Sequence, residues 1–154
     1  MQGNTQFISI LVLTLILSGN MTLKGLNKYG QVNSKDLKYL AGAMEIENGN
    51  NSQLCRLLTG SVILNRMKSD KWSGSTISEV IEAKDGGYWQ YASVTRHNYK
   101  TKKASKETKM LAKYLLIFGP ICDSNIVYQG QRKTGSGVYW AEDTPDGKEY
   151  FCYE

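Results

Sequence analysis

LAGAMEIENGN, Leu40 to Asn50, sets an apolar helical stripe against an Asn- and Gly-rich break and places Glu47 where the two meet. Leu37, Leu40, Ala41 and Met44 recur at i, i+3, i+4 and i+7, so the spacing predicts a helix that starts from a Ser34 cap. Glu47 lies three residues beyond Met44, at the edge of the stripe. Glu45 projects from the opposite flank, so the two do not form an acid/base pair. A carboxylate at such a helix end is partly desolvated yet open to a cleft, and desolvation disfavours its charged form. A Glu whose pKa is raised in this way keeps a proton available for general-acid work near neutral pH. Glu47 is therefore the first candidate for chemistry.

Downstream, Asn50-Asn51-Ser52 reads as the cap of a second helix running to about Met67, with Leu54, Leu57, Leu58, Val62, Ile63, Leu64 and Met67. It is apolar on nearly every side, which predicts a place in the middle of the domain. Asn65 and Arg66 at its end then need hydrogen-bond partners, and a structural role is the first expectation for both. Thr76 is expected to cap a short helix from Ile77 to Glu82. After the Asp85-Gly86-Gly87 turn come Tyr88, Trp89, Gln90 and Tyr91. Aromatic faces and amides suit sugar rings and their hydroxyls, although the same cluster fits a core equally well.

An amphipathic helix from Ser105 to Phe118 should bury Met110, Leu111, Tyr114, Leu115 and Phe118 and stop at Gly119-Pro120. The period then changes to that of strands, at Ile126 to Gln129, Val138 to Trp140 and Tyr150 to Tyr153. The fold class is α+β, mostly helical with a small antiparallel sheet.

Upstream, Phe7 to Leu17 is an apolar run too short to span a bilayer comfortably, with no Lys or Arg before it and no small-x-small cleavage site in SGNMT after it. Two readings stay open, a degenerate export signal or anchor and a packed helix. Asn20 to Ser34 reads as a linker. The expected division is thus an N-terminal apolar segment with its linker, 1–34, and a single domain, 35–154.

A chain of 154 residues, 41% hydrophobic and 21% charged, can bury one core. Its net charge of +5 suits an anionic or wall-like polymer, or simply a solvated surface. Lys100, Lys102, Lys103, Lys106, Lys109 and Lys113 are expected along the outer face of one helix, and no nucleic-acid-binding signature accompanies them. Cys55, Cys122 and Cys152 lie far apart, and His97 is the one histidine, which argues against a zinc site and against Cys/His catalysis. The three cysteines are expected to be buried as small hydrophobes.

Taken in order, LAGAMEIENGN, GSVILNRMKSDKW with STISEVI, the Gln90-Tyr91 loop and NIVYQGQRKTGSGVYW resemble a cell wall hydrolase of the spore-cortex-lytic (SleB-like) type, over Asp36 to Glu154. That family has Tyr-Ala-Glu-Ala followed, one helix later, by Val-Leu-Asn-Arg, which here is Ile63-Leu64-Asn65-Arg66; in this register its catalytic Glu falls on Glu47. Glu45 and Ile46 stand where the family has Tyr and Ala, and Asn48 replaces its second Ala.

The resemblance implies a lysozyme-like fold and a secreted or envelope-associated monomer that cleaves peptidoglycan glycan strands as a lytic transglycosylase. It implies no cofactor, no metal and no nucleic acid, and leaves room for membrane association through the N-terminal segment. Glu47 would be the catalytic acid/base, with Thr76, Tyr88, Gln90, Tyr91, Tyr128, Gln129 and Tyr139 binding substrate and Asn65 supporting the wall of the groove. One carboxyl suffices if the muramic-acid sugar's own hydroxyl attacks, whereas a distant Asp85 or Glu142 completing a pair would make a hydrolytic muramidase. The alternative from another class is a noncatalytic wall-binding module, which would not need Glu47.

Overall fold

The computed structural model describes residues 2–154. Its helices are α1 (Gln2–Leu17), α2 (Ser34–Asn48), α3 (Gln53–Lys68), α4 (Ile77–Ile81), α5 (Ala92–Arg96) and α6 (Lys106–Phe118). With a three-stranded antiparallel sheet and a short hairpin, they make the chain α+β, as the change of period predicts. The caps are those that sequence rules favour, with one shift. Asn33 rather than Ser34 caps α2, its side chain accepting from the Lys35 and Asp36 amides. An Asn side chain there satisfies two amides that the first helical turn leaves open.

The helix that is apolar all round, α3, is the centre of the fold, and every residue from Cys55 to Arg66 is buried. α2 and α6 pack on one side of it and the sheet on the other. The close approach of these helices is made by Gly60, where a Cβ would stand 2.4 Å from Leu115 Cδ1 and 2.9 Å from Met44 Sδ. Gly42 does the same for α2 on its other face, since a Cβ there would lie 2.2 Å from the Tyr99 carbonyl oxygen.

Strands β1 (Lys84–Asp85) and β2 (Tyr88–Trp89) form a hairpin where the sequence suggested a loop. Gly86 and Gly87 both have positive φ, 55° and 88°, which is the backbone that a two-residue hairpin turn requires. The larger sheet contains β3 (Ile126–Gly130), β4 (Gly137–Thr144) and β5 (Gly147–Tyr153), in the order β3-β5-β4. β4 and β5 extend well past the expected strands, because they pair continuously down to the Thr144↔Gly147 turn. Phe151 and Ile126 of this sheet close a second apolar cluster with Cys55, Leu58 and Val62 of α3.

Two expectations change. The lysines do not share the outer face of one helix: Lys100, Lys102 and Lys103 precede α6, and Lys113 is buried on it, its Nζ donating to the Leu23 carbonyl at 3.2 Å and to Asn27 Oδ1. The stretch read as a linker contains a 3-10 turn, Gly25–Tyr29, with Leu26 buried, and Lys113 ties it to α6. The cysteines are free, with Cys55 and Cys152 buried and Cys122 only half-buried.

α1 packs on the domain through Val12 and Ile16, and Ser9 Oγ lies 2.6 Å from the Tyr114 hydroxyl. Its other side leaves Phe7, Ile10 and Leu11 exposed. Among the described residues no helix is long and apolar enough to cross a membrane.

Candidate active site

The end of α2 is fixed by a buried amide. Asn48 donates through Nδ2 to Thr59 Oγ1 at 2.7 Å and accepts from Asn51 Nδ2, locking the α2–α3 connection. A buried amide that is satisfied on both sides holds its helix end in one place. Glu47 lies one residue earlier on this fixed helix end. Burial, with the nearby charge of Glu149 adding to it and Arg66 opposing it, lifts the Glu47 pKa from 4.5 to about 7.

Arg66, from the last turn of α3, is the cation of the site. Its Nε donates to the Val127 carbonyl at 2.6 Å, and its guanidinium stands 4.1 Å from the Trp72 ring centre and 5.0 Å from that of Tyr91. With two rings around it and no carboxylate in ion-pairing range among the described residues, the guanidinium acts on Glu47 through its charge. Asn65 has the expected structural role, donating to the carbonyls of Asp123 at 2.8 Å and Ile126 at 3.0 Å.

Tyr91 is buried beneath Arg66. Burial raises its phenol pKa first of all; Arg66 acts against that, while Glu47 and Glu149 add to it. Its hydroxyl finds no hydrogen-bond partner among the described residues, nor do the amide nitrogen and oxygen of Gln129. Polar atoms buried without partners are costly in a finished core, and their convergence beside carboxylates marks a place where another polar molecule can bind.

Sequence reasoning missed the second carboxylate, Glu149. It sits opposite Glu142 in the β4–β5 register, with side chains on the face that Phe151 turns toward α3. Burial raises its pKa, and the neighbouring Gln129 amide favours its charged form. The strand was expected to begin at Tyr150, which left Glu149 in a turn. Extending the alternation of Phe151 and Tyr153 back by two residues would have placed it on the same face.

The acids considered from the sequence are engaged elsewhere. Glu142 accepts from Ser52 at the start of α3, 3.2 Å from its amide and 2.6 Å from its hydroxyl. Glu45 accepts from Ser105 Oγ at 3.2 Å, on the α6 side. Asp85 is exposed on the β1–β2 hairpin.

The expected substrate residues divide into groups. Tyr91 and Gln129 join Glu47 and Glu149. Gln90 and Tyr128 line a cleft of about 310 Å³ with Trp72, Lys84 and Asp85, and the Trp72 and Tyr128 rings meet edge-on at 5.5 Å. A larger cleft, about 680 Å³, opens on the other side of the Trp72 loop, between Met67, Ser73 and Glu79. Tyr88 is 82% exposed at the hairpin. Tyr139 stacks edge-on with Tyr153 at 5.9 Å, toward the Asp123 end of the sheet. The Thr76 hydroxyl is committed to a capping box with Glu79. Among the described residues no three His, Cys, Asp or Glu side chains converge as metal ligands.

The titration of Glu47 has a thermodynamic signature. Between its ordinary pKa of 4.5 and about 7, the folded chain binds a proton that the unfolded chain does not. Its stabilising contribution is complete below pH 4.5 and is lost as the pH rises through 7. Thermal melts should therefore show wild type losing stability relative to Glu47→Gln across that window, with the variant the more stable above pH 7. Parallel melting curves would show that the carboxyl is not held protonated.

Comparison with protein-family models, with curated proteins and with solved structures finds no match for this chain.

Proposed function

We propose that this protein cleaves the glycan strand of peptidoglycan, with Glu47 as the general acid, on a lysozyme-like fold of the spore-cortex-lytic type. The observation that carries the reading is the state of Glu47: a carboxyl at a helix end, its pKa raised to about 7 by burial, near the Tyr91 phenol, whose hydroxyl lacks a partner among the described residues. A glycosidic bond breaks when its leaving oxygen receives a proton as the bond to the anomeric carbon lengthens. Glu47 is suited to give that proton at neutral pH. The Tyr91 hydroxyl and Gln129 amide supply hydrogen bonds that a sugar hydroxyl needs, and Trp72 and Tyr128 extend an aromatic surface from the site toward Gln90.

Two closings of the reaction follow the same first step. In the transglycosylase closing, Glu47, now ionised, takes the proton of the muramic-acid hydroxyl as that oxygen attacks the anomeric carbon. In the hydrolytic closing, water attacks and a second carboxylate takes its proton. The net charge of +5 and the exposed apolar side of α1 fit work at the cell envelope against an anionic polymer.

The test is incubation of the full chain with purified peptidoglycan, with soluble fragments identified by mass spectrometry for wild type and Glu47→Gln. Fragments from wild type alone support the reading. A second reading, a wall-binding module, is favoured by the clefts around Trp72, which Glu47 does not line. It predicts that neither protein releases fragments and that both sediment equally with the wall.

A further inference from the structure

α1 carries no charged residue from Gln2 to Leu17, and its two sides meet different surroundings. Val12 and Ile16, one turn apart, are buried against the domain, and Ser9 touches the Tyr114 hydroxyl. Phe7, Ile10 and Leu11, at i, i+3 and i+4, point the other way and are 74%, 60% and 50% exposed, with Leu17 also exposed further along the helix. A contiguous apolar face of this kind marks a surface that meets something other than water.

The charges around it select the partner. No acidic residue precedes Asp36, whereas Lys24, Lys28 and Lys35 do, and all three are exposed. Lys113 ties the Gly25–Tyr29 turn to α6, the helix on which α1 also lies, so Lys24 and Lys28 are carried on the folded body and not on a loose tail. At the C-terminal end of α1, Lys106 lines a cleft of about 270 Å³ with Ile16, Gly19 and Met21; the acid in that cleft, Glu107, is paired with Arg56. A second copy of the chain would bring like charges together at this face. A glycan strand has no apolar layer to take up Phe7 and Ile10. A bilayer with anionic head groups offers both an apolar layer and negative charge at its boundary. By helical rise α1 is about 24 Å long, short of the roughly 30 Å hydrocarbon core, and one of its sides is committed to the domain. It fits along a membrane surface and not across it.

We propose that α1 is an in-plane membrane anchor: the folded chain rests on an anionic lipid surface, with Phe7, Ile10 and Leu11 among the acyl chains and Lys24, Lys28 and Lys106 against lipid phosphates. An interfacial helix ordinarily supplies its own charged face. Here the domain does so, covering the second side of α1 and presenting the lysines. Apolar insertion or a basic patch alone gives weak, reversible attachment, and the two together hold a protein at a membrane. Such attachment is independent of the chemistry at Glu47 and keeps the domain beside the bilayer whatever its substrate.

The experiment is flotation of the full chain with vesicles of phosphatidylcholine alone and of phosphatidylcholine mixed with phosphatidylglycerol, at low and high salt. Wild type should bind the mixed vesicles on the order of 10-fold more tightly, with the excess disappearing at high salt. A joint Phe7→Ser, Ile10→Ser and Leu11→Ser variant should lose on the order of 10²-fold in binding to the mixed vesicles. Lys24→Glu with Lys28→Glu should lose the preference for anionic lipid. All five positions are exposed, so the variants should melt like wild type, and the comparison of the two vesicle types needs no variant.

Wild type that floats with neither vesicle would overturn the proposal. Binding unchanged by the triple substitution would also overturn it, passing attachment to lysines elsewhere. A dimer in sedimentation velocity that the triple substitution dissolves, with no flotation, would give the face to a second copy and overturn the lipid assignment.

Discussion

Glu47→Gln should lower the rate of glycan cleavage by roughly 10²- to 10⁴-fold, the range over which a positioned general acid acts. Gln keeps the shape of the side chain but has no acidic proton to give. Sedimentation with the wall should be unchanged, because the Trp72, Tyr128 and Gln90 cleft is untouched. The comparison that makes the result specific is Glu45→Gln, two residues away on the same helix. Its carboxylate accepts from Ser105 on the α6 side, and its rate should stay near that of wild type. Equal losses in both variants would point to general damage at the end of α2 and not to a missing acid. Wild-type activity should also fall as the pH rises past about 7, as Glu47 gives up its proton.

Gly42→Ala should be strongly damaging to the domain. The new Cβ would stand 2.2 Å from the Tyr99 carbonyl oxygen, and a backbone atom cannot rotate away as a side-chain tip can. Overpacking of this kind costs about 3 kcal/mol. For a chain of this size, 3 kcal/mol lowers Tm by roughly 6–12 °C. The effect should extend beyond stability. α2 relieves the overlap by moving off the Tyr99 segment, and α2 carries Glu47; a displacement near 1 Å at a reacting group can cost on the order of 10²-fold in rate. Thermal melts together with the peptidoglycan assay would separate the two. A variant that melts like wild type would show that α2 and the Tyr99 segment part without cost.

Much of this was legible in the sequence, and the reasons are local. Ser52 and Thr76 cap the helices they were expected to cap, because an N-cap is decided within four residues. The all-round apolar character of α3 foretold its central place. Glu47 was legible because its position relative to Met44 and Leu40 follows from helical geometry alone. Glu149 was not, since its importance depends on which strand lies in the middle of the sheet and which face meets α3, and both are long-range facts. Lys113 was misplaced for a similar reason: helical spacing put it on the basic face, but the turn at Gly25–Tyr29 covers that part of α6. The hairpin at Gly86-Gly87 was read as a loop because two-residue strands leave almost no alternation to detect.

The strand order β3-β5-β4 has a consequence for the chain as it is made. The strand in the middle is the one that follows both of its neighbours in sequence. Until β5 has left the ribosome, β3 has no edge to pair with and the face bearing Glu149 does not exist. A nascent chain can assemble α2, α3 and α6, and so place Glu47, well before that moment. The sheet therefore closes only when its central strand is complete, after the helices that carry and position Glu47 have emerged.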